Sequence, residues 1–370
     1  MEQLARVIFA GGGTGGHFFP ALSMARALQS RRACRILFVG TQQGIESKKA
    51  PQAGFSVRFL PVAGFQRYLT WKNLLFPFRL LHSMYLGRRI LKEFQPHLVI
   101  GSGGYVMGPV LKSAQQLGIN TLIQEQNSFP GVTTRLLARK AKAVFTAYEE
   151  SAQFLPDAQK IILAGNPVLL RNSGKSKPEI YRQFGLNPEL KTIFIFGGSQ
   201  GAASINRAVA KLADGIPAGW QALWQTGERE FEPYRRLAKE NDRLQIFPFI
   251  DWMTDAYSIS SAAICRAGAM TLSELMLAGL PAVLIPLASA AADHQYKNAR
   301  ALADKGAAIV IRDGGSMPDQ LTQCIRDITE NRIDLSGMAL RMKRLGKPRA
   351  LDEIVDEIEK WLPQENNLES

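Results

Sequence analysis

The residues best placed to do chemistry sit in glycine-rich stretches. The first is Gly11-Gly-Gly-Thr-Gly-Gly-His17, which follows the apolar run Val7–Ala10 and precedes apolar residues at helical spacing (Phe18, Phe19, Ala21, Leu22, Met24, Ala25, Leu28). That order reads as strand, tight turn, helix. The turn lets backbone approach a ligand, and the helix start offers unpaired N–H groups and a positive dipole end to an anion. His17 sits at the turn with a side chain that can act as a general base near neutral pH. Gly11, Gly13 and Gly16 also fit a dinucleotide fingerprint, but the second strand, Arg35–Val39, runs into Gly40-Thr41-Gln42-Gln43 with no carboxylate for a ribose, and Glu46 comes late. An NAD site is not expected.

Five further stretches follow apolar runs. Gly101-Ser-Gly-Gly-Tyr-Val-Met-Gly-Pro109 reads as a second ligand loop, with Tyr105 at its centre and Pro109 suited to a first helical turn. Gln124-Glu-Gln-Asn-Ser128 groups amides and a carboxylate, the partners sugar hydroxyls require. Glu125 stands as a second general-base candidate or as a salt-bridge partner. Gly197-Gly-Ser-Gln-Gly201 can cradle phosphate through its N–H groups and the Ser199 hydroxyl. Cys265-Arg-Ala-Gly-Ala-Met-Thr-Leu-Ser-Glu274 leads into a helix, where Glu274 could hold both ribose hydroxyls or merely compensate the helix dipole. Asp293-His-Gln-Tyr-Lys-Asn298 opens another helix, with Asp293 and Gln295 reaching a ligand or Asp293 serving as an N-cap. No Asp-x-Asp pair occurs, so a sugar-nucleotide enzyme of this kind would stabilise its leaving diphosphate with helix dipoles, backbone N–H groups and hydroxyls. No metal site is expected.

Elements must position these turns. The first half alternates strand candidates (Val7–Ala10, Arg35–Val39, Val57–Val62, Leu98–Gly101, Thr121–Gln124, Ala143–Ala147) with helical patterns. After the polar stretch Arg171–Pro178 the pattern restarts with Thr192–Phe196, a glycine turn and a helix from Ala202 to Leu212. Further strand candidates are Ala222–Gln225, Leu244–Ile250, Ala263–Arg266, Ala282–Pro286 and Ala307–Ile311. We expect an α/β protein of two tandem Rossmann-like, doubly wound domains facing a shared cleft: residues 1–168, a linker at 169–178, residues 179–348, and a closing amphipathic helix and tail at 349–370.

The net charge of +13 is unevenly placed. Residues 1–165 hold 20 Lys+Arg against 7 Asp+Glu, while residues 166–370 hold 25 of each. This points the first half at an anionic partner, and no nucleic-acid motif accompanies the charge. The stretch Trp71–Arg89 mixes aromatics, leucines and basic residues with no acid until Glu93. It suits docking to an anionic membrane surface through Trp71, Lys72, Leu74, Leu75, Phe76 and Arg79, while Leu80, Met84 and Leu91 fit a helix packed on a core. No apolar run is long enough to cross a membrane. The start of the chain does not read as a signal peptide, and Cys34, Cys265 and Cys324 lack metal-ligand spacing, as expected of free thiols in a reducing cytoplasm.

Taken in order, Gly12-Gly-Thr-Gly-Gly-His17, Gly103-Gly-Tyr-Val106 with Gly108-Pro109, Glu125-Gln-Asn127, Gly165-Asn-Pro-Val168, Gly197-Gly-Ser-Gln-Gly-Ala202 and Asp293-His-Gln295 resemble the MurG family over nearly the whole chain. The resemblance implies a GT-B fold and an inverting, metal-independent transfer of GlcNAc from UDP-GlcNAc to lipid I, giving lipid II at the cytoplasmic face of the bacterial inner membrane. It implies no cofactor. It implies anionic lipids and proteins of wall synthesis and division as partners, and no nucleic acid. It places Thr14, Gly15 and Gly16 beside the donor sugar and acceptor diphosphate, His17 as base, Tyr105 in the substrate-binding set, Asn127 on the GlcNAc hydroxyls and Ser199 on the donor phosphates. It places the Ile250 backbone on uracil, Glu274 on ribose, and Ala269, Met270, Thr271, Leu272, Ser273 and Gln295 along the donor site. The family's arginine directly after Gly-Asn-Pro-Val is displaced here: Leu169 and Leu170 intervene before Arg171. Rival readings are a diacylglycerol glycosyltransferase, a UDP-GlcNAc 2-epimerase and a non-catalytic lipid- or nucleotide-binding protein.

Overall fold

The computed structural model describes residues 4–62, 76–198, 200–212 and 215–364. The chain divides into two compact units, Met1–Val168 with Pro348–Ser370, and Leu169–Lys347.

The first unit is built on seven parallel strands: β1 (Ala5–Ala10), β2 (Cys34–Gly40), β3 (Ser56–Phe59), β4 (Leu98–Gly101), β5 (Asn120–Glu125), β6 (Ala143–Thr146) and β7 (Ile161–Ile162), in the order β3-β2-β1-β4-β5-β6-β7. Their near-continuous apolar runs are what a parallel sheet covered on both faces requires. One face carries Val7, Phe9, Phe38, Leu98, Ile100 and Phe145 against helix α1 (Gly15–Arg31) and the closing helix Ala350–Glu359. Between them in sequence lies the short α2 (Glu46–Gln52). The other face carries Ile8, Val39, Val99, Ile123 and Val144 against Leu91 of α3 (Phe76–Phe94), Val106, Val110 and Leu111 of α4 (Gly104–Gln116) and Leu137 of α5 (Val132–Ala138).

The closing helix shows how the tail returns to the first unit. Leu351, Ile354, Val355 and Ile358 are buried on the α1 side, each contributing about 1.5–3 kcal/mol of apolar burial. At its edge Arg31 pairs with Asp352 and Asp356, and Lys160 with Glu357.

The second unit repeats the plan with six parallel strands: β8 (Lys191–Phe196), β9 (Trp220–Gln225), β10 (Leu244–Phe247), β11 (Ala262–Cys265), β12 (Ala282–Leu284) and β13 (Ala308–Val310), ordered β10-β9-β8-β11-β12-β13. Helix α6 (Lys177–Phe184) precedes β8, so the end of the polar stretch is already helical: the Ser176 N–H and hydroxyl both donate to Glu179. Helix α7 (Ala203–Ala210) follows the glycine turn. In each sheet the order reverses beside the first strand of the unit, between β1 and β4 and between β8 and β11. Outside the carboxyl ends of those strands lie the crevices where open parallel sheets bind ligands.

Candidate active site

In the first unit three turns converge at the β1/β4 crevice. The Gly11 N–H donates to the Val39 carbonyl (3.3 Å) and the Ser102 N–H to the Ala10 carbonyl (3.1 Å), so the first and second turns share the strand ends. They touch backbone to backbone. A Cβ on Gly104 would lie 2.6 Å from the Gly12 carbonyl oxygen, and one on Gly103 (φ +98°) would strike the His17 ring. These approaches explain why both turns are glycine-rich. Thr14, Gly15 and Gly16 begin α1 at its open end, and Tyr105 is exposed.

The feature sequence reasoning missed is Glu46. Its side chain is wholly buried, and its carboxylate accepts from the Gly13 N–H (2.8 Å), the Thr41 N–H (2.7 Å) and the Thr41 hydroxyl (3.0 Å). A Cβ on Gly12, Gly40 or Gly44 would collide with that carboxyl group. Glu46 is therefore the anchor of the first turn, committed to protein donors. The available signal was a glutamate just after Gly40 and Gly44, two glycines that leave room for its carboxyl group.

The third turn follows β5. Glu125 is buried, and its two oxygens accept from four donors: the Asn127 N–H (3.1 Å) and amide (3.2 Å), the Gly131 N–H (3.1 Å) and the Thr134 hydroxyl (2.7 Å). A carboxylate has about four acceptor positions, so this one is filled. Glu125 orders the turn and holds Asn127; among the described residues it makes no salt bridge, and its geometry does not suit a base. His17 differs. Its ring lies against Gly103, and Nδ1 meets Gln126 Oε1 at 3.2 Å.

In the second unit the turn after β8 backs onto the turn after β9. A Cβ on Gly201 (φ +74°) would overlap the Thr226 carbonyl, and Gln225 donates to the Gly198 carbonyl (3.2 Å). Ser199 lies outside the described residues. Gln225 Oε1 accepts the Ile250 N–H (2.9 Å), so the Ile250 carbonyl is the backbone group left for a ligand. Arg266 ties the crevice together, reaching Asp313 (2.7 Å), the Ser204 hydroxyl (2.7 Å) and the Ile285 carbonyl (3.0 Å).

Glu274 lies in the helix Ala269–Ala278, beyond its first turn, so dipole compensation does not account for it. Burial holds its carboxyl above the usual carboxylate range, partly offset by the Tyr257 hydroxyl donating at 2.7 Å. The same burial, with the Glu274 charge, pushes the Tyr257 hydroxyl well up. Two residues of this helix are corrections to the sequence reading. Leu272 is fully buried in the packing, and the Ser273 hydroxyl turns back onto the Ala269 carbonyl (3.0 Å), so neither side chain lines an open site. Ala269, Met270 and Thr271 at the helix start remain partly exposed. Asp293 does not cap through its side chain. It takes a left-handed conformation (φ +54°) and faces Arg312 at 3.6 Å. Gln295 closes the preceding loop by accepting the Leu287 N–H (2.9 Å). Arg171 is exposed.

Of the membrane-facing residues, Trp71, Lys72, Leu74 and Leu75 lie outside the described residues; Phe76 opens α3, and Arg79 is exposed. The helix itself is apolar on two faces. Gly87 and Leu91 pack inward, while Phe78, Leu81 and Tyr85 are 71%, 64% and 65% exposed in a stripe that continues into Arg88, Arg89 and Lys92. Leu80 and Met84 are half-buried. The outward stripe, spaced i, i+3, i+7, was readable in the sequence and hidden by the inward one. No helix among the described residues is long and apolar enough to cross a membrane.

These two sheets and their turns are those of a glycosyltransferase with the GT-B fold: residues 7–146 match the glycosyltransferase family 28 N-terminal domain and residues 192–354 its C-terminal domain. The chain is 41% identical, over 99% of its length and all of the relative's, to the UDP-N-acetylglucosamine–N-acetylmuramyl-(pentapeptide) pyrophosphoryl-undecaprenol N-acetylglucosamine transferase of Flavobacterium psychrophilum, and 44% identical over 89% of both chains to that of Phocaeicola vulgatus. The crystal structure of Acinetobacter baumannii MurG superposes with a TM-score of 0.78 at 31% identity, covering 96% of this chain and 99% of that one. The chain belongs to the MurG family of glycosyltransferases.

Proposed function

We propose that this enzyme moves GlcNAc from UDP-GlcNAc to the 4-hydroxyl of the MurNAc of lipid I, with inversion, to make lipid II. The observation that carries the mechanism is the imidazole of His17 held on Gln126 at the first sheet's crevice, beside the open N-terminus of α1. The acceptor hydroxyl gives its proton to His17 and attacks the anomeric carbon. The C1–O bond to UDP breaks as the new bond forms, and the departing diphosphate is stabilised by N–H groups of the Gly197–Gly201 turn with Ser199. Thr14, Gly15 and Gly16 flank the reacting sugar and acceptor diphosphate, Asn127 holds GlcNAc hydroxyls, and Tyr105 borders the acceptor. The Ile250 carbonyl accepts the uracil imide N–H, Glu274 the ribose hydroxyls, and Gln295 with the Ala269–Thr271 helix start completes the donor site. Arg171 reaches the uracil side in place of the family arginine. Residues 1–168 thus serve the acceptor and residues 179–348 the donor.

The same reading has the enzyme act peripherally on the cytoplasmic face of the inner membrane. The support is the exposed stripe Phe78, Leu81 and Tyr85 with its basic continuation, together with exposed Val132 and Leu136 of α5 beside Arg135, Arg139 and Lys140. Replacing Phe78, Leu81 and Tyr85 by Ser should abolish sedimentation with vesicles containing anionic lipid; unchanged sedimentation would remove the stripe from the account. Transfer itself is tested with radiolabelled UDP-GlcNAc and a lipid I analogue in EDTA. Label in a disaccharide product supports the reading. Label recovered as free sugar or as an epimerised donor overturns it.

A further inference from the structure

Behind Gln126, which meets His17, stand two amides without a role in the reading above: Gln124 near the end of β5 and Asn166 in Gly165-Asn-Pro-Val168. These amides bond to one another. Gln126 Nε2 donates to the Ser102 carbonyl at 2.7 Å and to Gln124 Oε1. Gln124 Nε2 donates to Asn166 Oδ1 at 2.8 Å, and Asn166 Nδ2 donates to the Gln126 backbone carbonyl at 3.2 Å. The ring of bonds closes on Gln126.

Each amide has one permitted orientation. Turning Gln126 over would set its oxygen against the Ser102 carbonyl oxygen; turning Asn166 over would do the same against the Gln126 carbonyl, and Gln124 is fixed between them. All three side chains are at least 96% buried, so water cannot replace a lost partner. A reversed amide would strand buried groups at about 1–3 kcal/mol each. Gln126 therefore presents only an oxygen to His17 Nδ1, 3.2 Å away, and that nitrogen must bring the proton. A neutral imidazole has one N–H and one lone pair, so the lone pair belongs to Nε2.

We propose that the Gln124–Gln126–Asn166 amide ring locks His17 in its Nδ1-protonated tautomer, making Gln126 a positioning residue that directs Nε2 to take the acceptor's proton. This rests on the reading of His17 as the base. An amide does this without adding charge to the crevice. Around His17, the turn after β4 brings Ser102, Gly103 and the exposed Tyr105. The turn after β5 brings Gln126, with the Glu125 carboxylate committed to Asn127, Gly131 and Thr134. The β2–α2 stretch brings Glu46, committed to Gly13 and Thr41. On α1 the next charged residue is Arg26.

The test is nitrogen NMR of the full-length protein labelled with ¹⁵N-histidine; only four histidines are present, and His17→Ala assigns the signal. Above the ring's titration, wild type should show the proton on Nδ1. Its presence on Nε2 overturns the proposal, and this measurement needs no variant of the amide ring to fold. Gln126→Glu should then move the acid limb of the kcat/KM profile for acceptor up by about one pH unit, because a carboxylate favours imidazolium. Gln126→Met should lower kcat about 10-fold with KM for UDP-GlcNAc unchanged. A folded Gln126→Glu with an unmoved profile also overturns the proposal. Wild-type turnover by His17→Ala would instead overturn the base reading, whatever tautomer the spectrum shows.

Discussion

The turns Gly11–His17 and Gly197–Gly201 are the same device, strand to glycine turn to helix, at the same place in two sheets of like order. They differ in what grips them from behind. The first is held by the buried Glu46 carboxylate, which takes the Gly13 N–H, and it faces a histidine and a ring of amides. The second is held by neutral backbone and amide groups: Gly201 against Thr226, Gly198 on Gln225. A departing diphosphate gains one negative charge and with it a demand for donors, and the turn whose N–H groups meet no carboxylate among the described residues suits that role. The turn with an internal carboxylate has fewer free N–H groups and suits orientation of a neutral sugar and its proton acceptor. Fold supplies the crevice; the groups behind the glycines decide its chemistry.

The largest effects should come from adding one methyl group to each turn. Gly201→Ala forces a positive φ and an overlap with the Thr226 carbonyl, and it should abolish UDP binding measured by calorimetry. Gly103→Ala drives into the His17 ring at φ +98°; it should cut transfer by about 100-fold while leaving UDP affinity intact, since strain and displacement cost roughly 2–3 kcal/mol. If both variants lose UDP binding, the division of labour between the turns is wrong.

Next in size is Glu46→Gln. The amide keeps the shape but must aim an NH2 at the Gly13 or Thr41 N–H, costing about 1–3 kcal/mol. Thermal unfolding should show the loss, and transfer should fall more than UDP binding does. An unchanged melting temperature would mean Glu46 does not anchor the turn.

The smallest effect concerns Glu274. Its pKa in the free protein is raised by burial, so the charged form costs stability above the raised value; that cost begins to lift as pH falls through it and is gone below the ordinary carboxylate value. If, as proposed, ribose hydroxyls donate to the charged form, UDP should bind more weakly as pH falls through the same window. Calorimetry across pH 5–8 checks this, and Glu274→Gln should flatten the dependence while weakening UDP by roughly 10-fold. A pH-independent affinity in wild type would move the ribose elsewhere.

Much of the fold was legible because parallel strands buried on both faces leave unbroken apolar runs, as in Val7–Ala10 and Thr192–Phe196. The edge strand Ile161–Ile162 was not among the strand candidates although Ile161-Ile-Leu-Ala164 is an apolar run: only its first two residues pair, and which ones do depends on β6. The tail was legible as an amphipathic helix, but its return to α1 depends on tertiary packing that no local pattern encodes. At the site, glycine spacing exposed the turns and His17. What it hid were partners distant in sequence: Glu46 lies 33 residues from Gly13, and Asn166 lies 40 residues from Gln126. Burial also redirected residues that a motif alone presents as ligands, as with Leu272 and Glu125.

The central claim, that the first turn moves the proton while the second holds the donor, is tested most directly by steady-state kinetics of His17→Ala against wild type, with UDP-GlcNAc and a lipid I analogue varied in turn. The account predicts kcat lower by about 10² or more, with KM for UDP-GlcNAc unchanged. An unchanged kcat, or a loss confined to KM for UDP-GlcNAc, would contradict it.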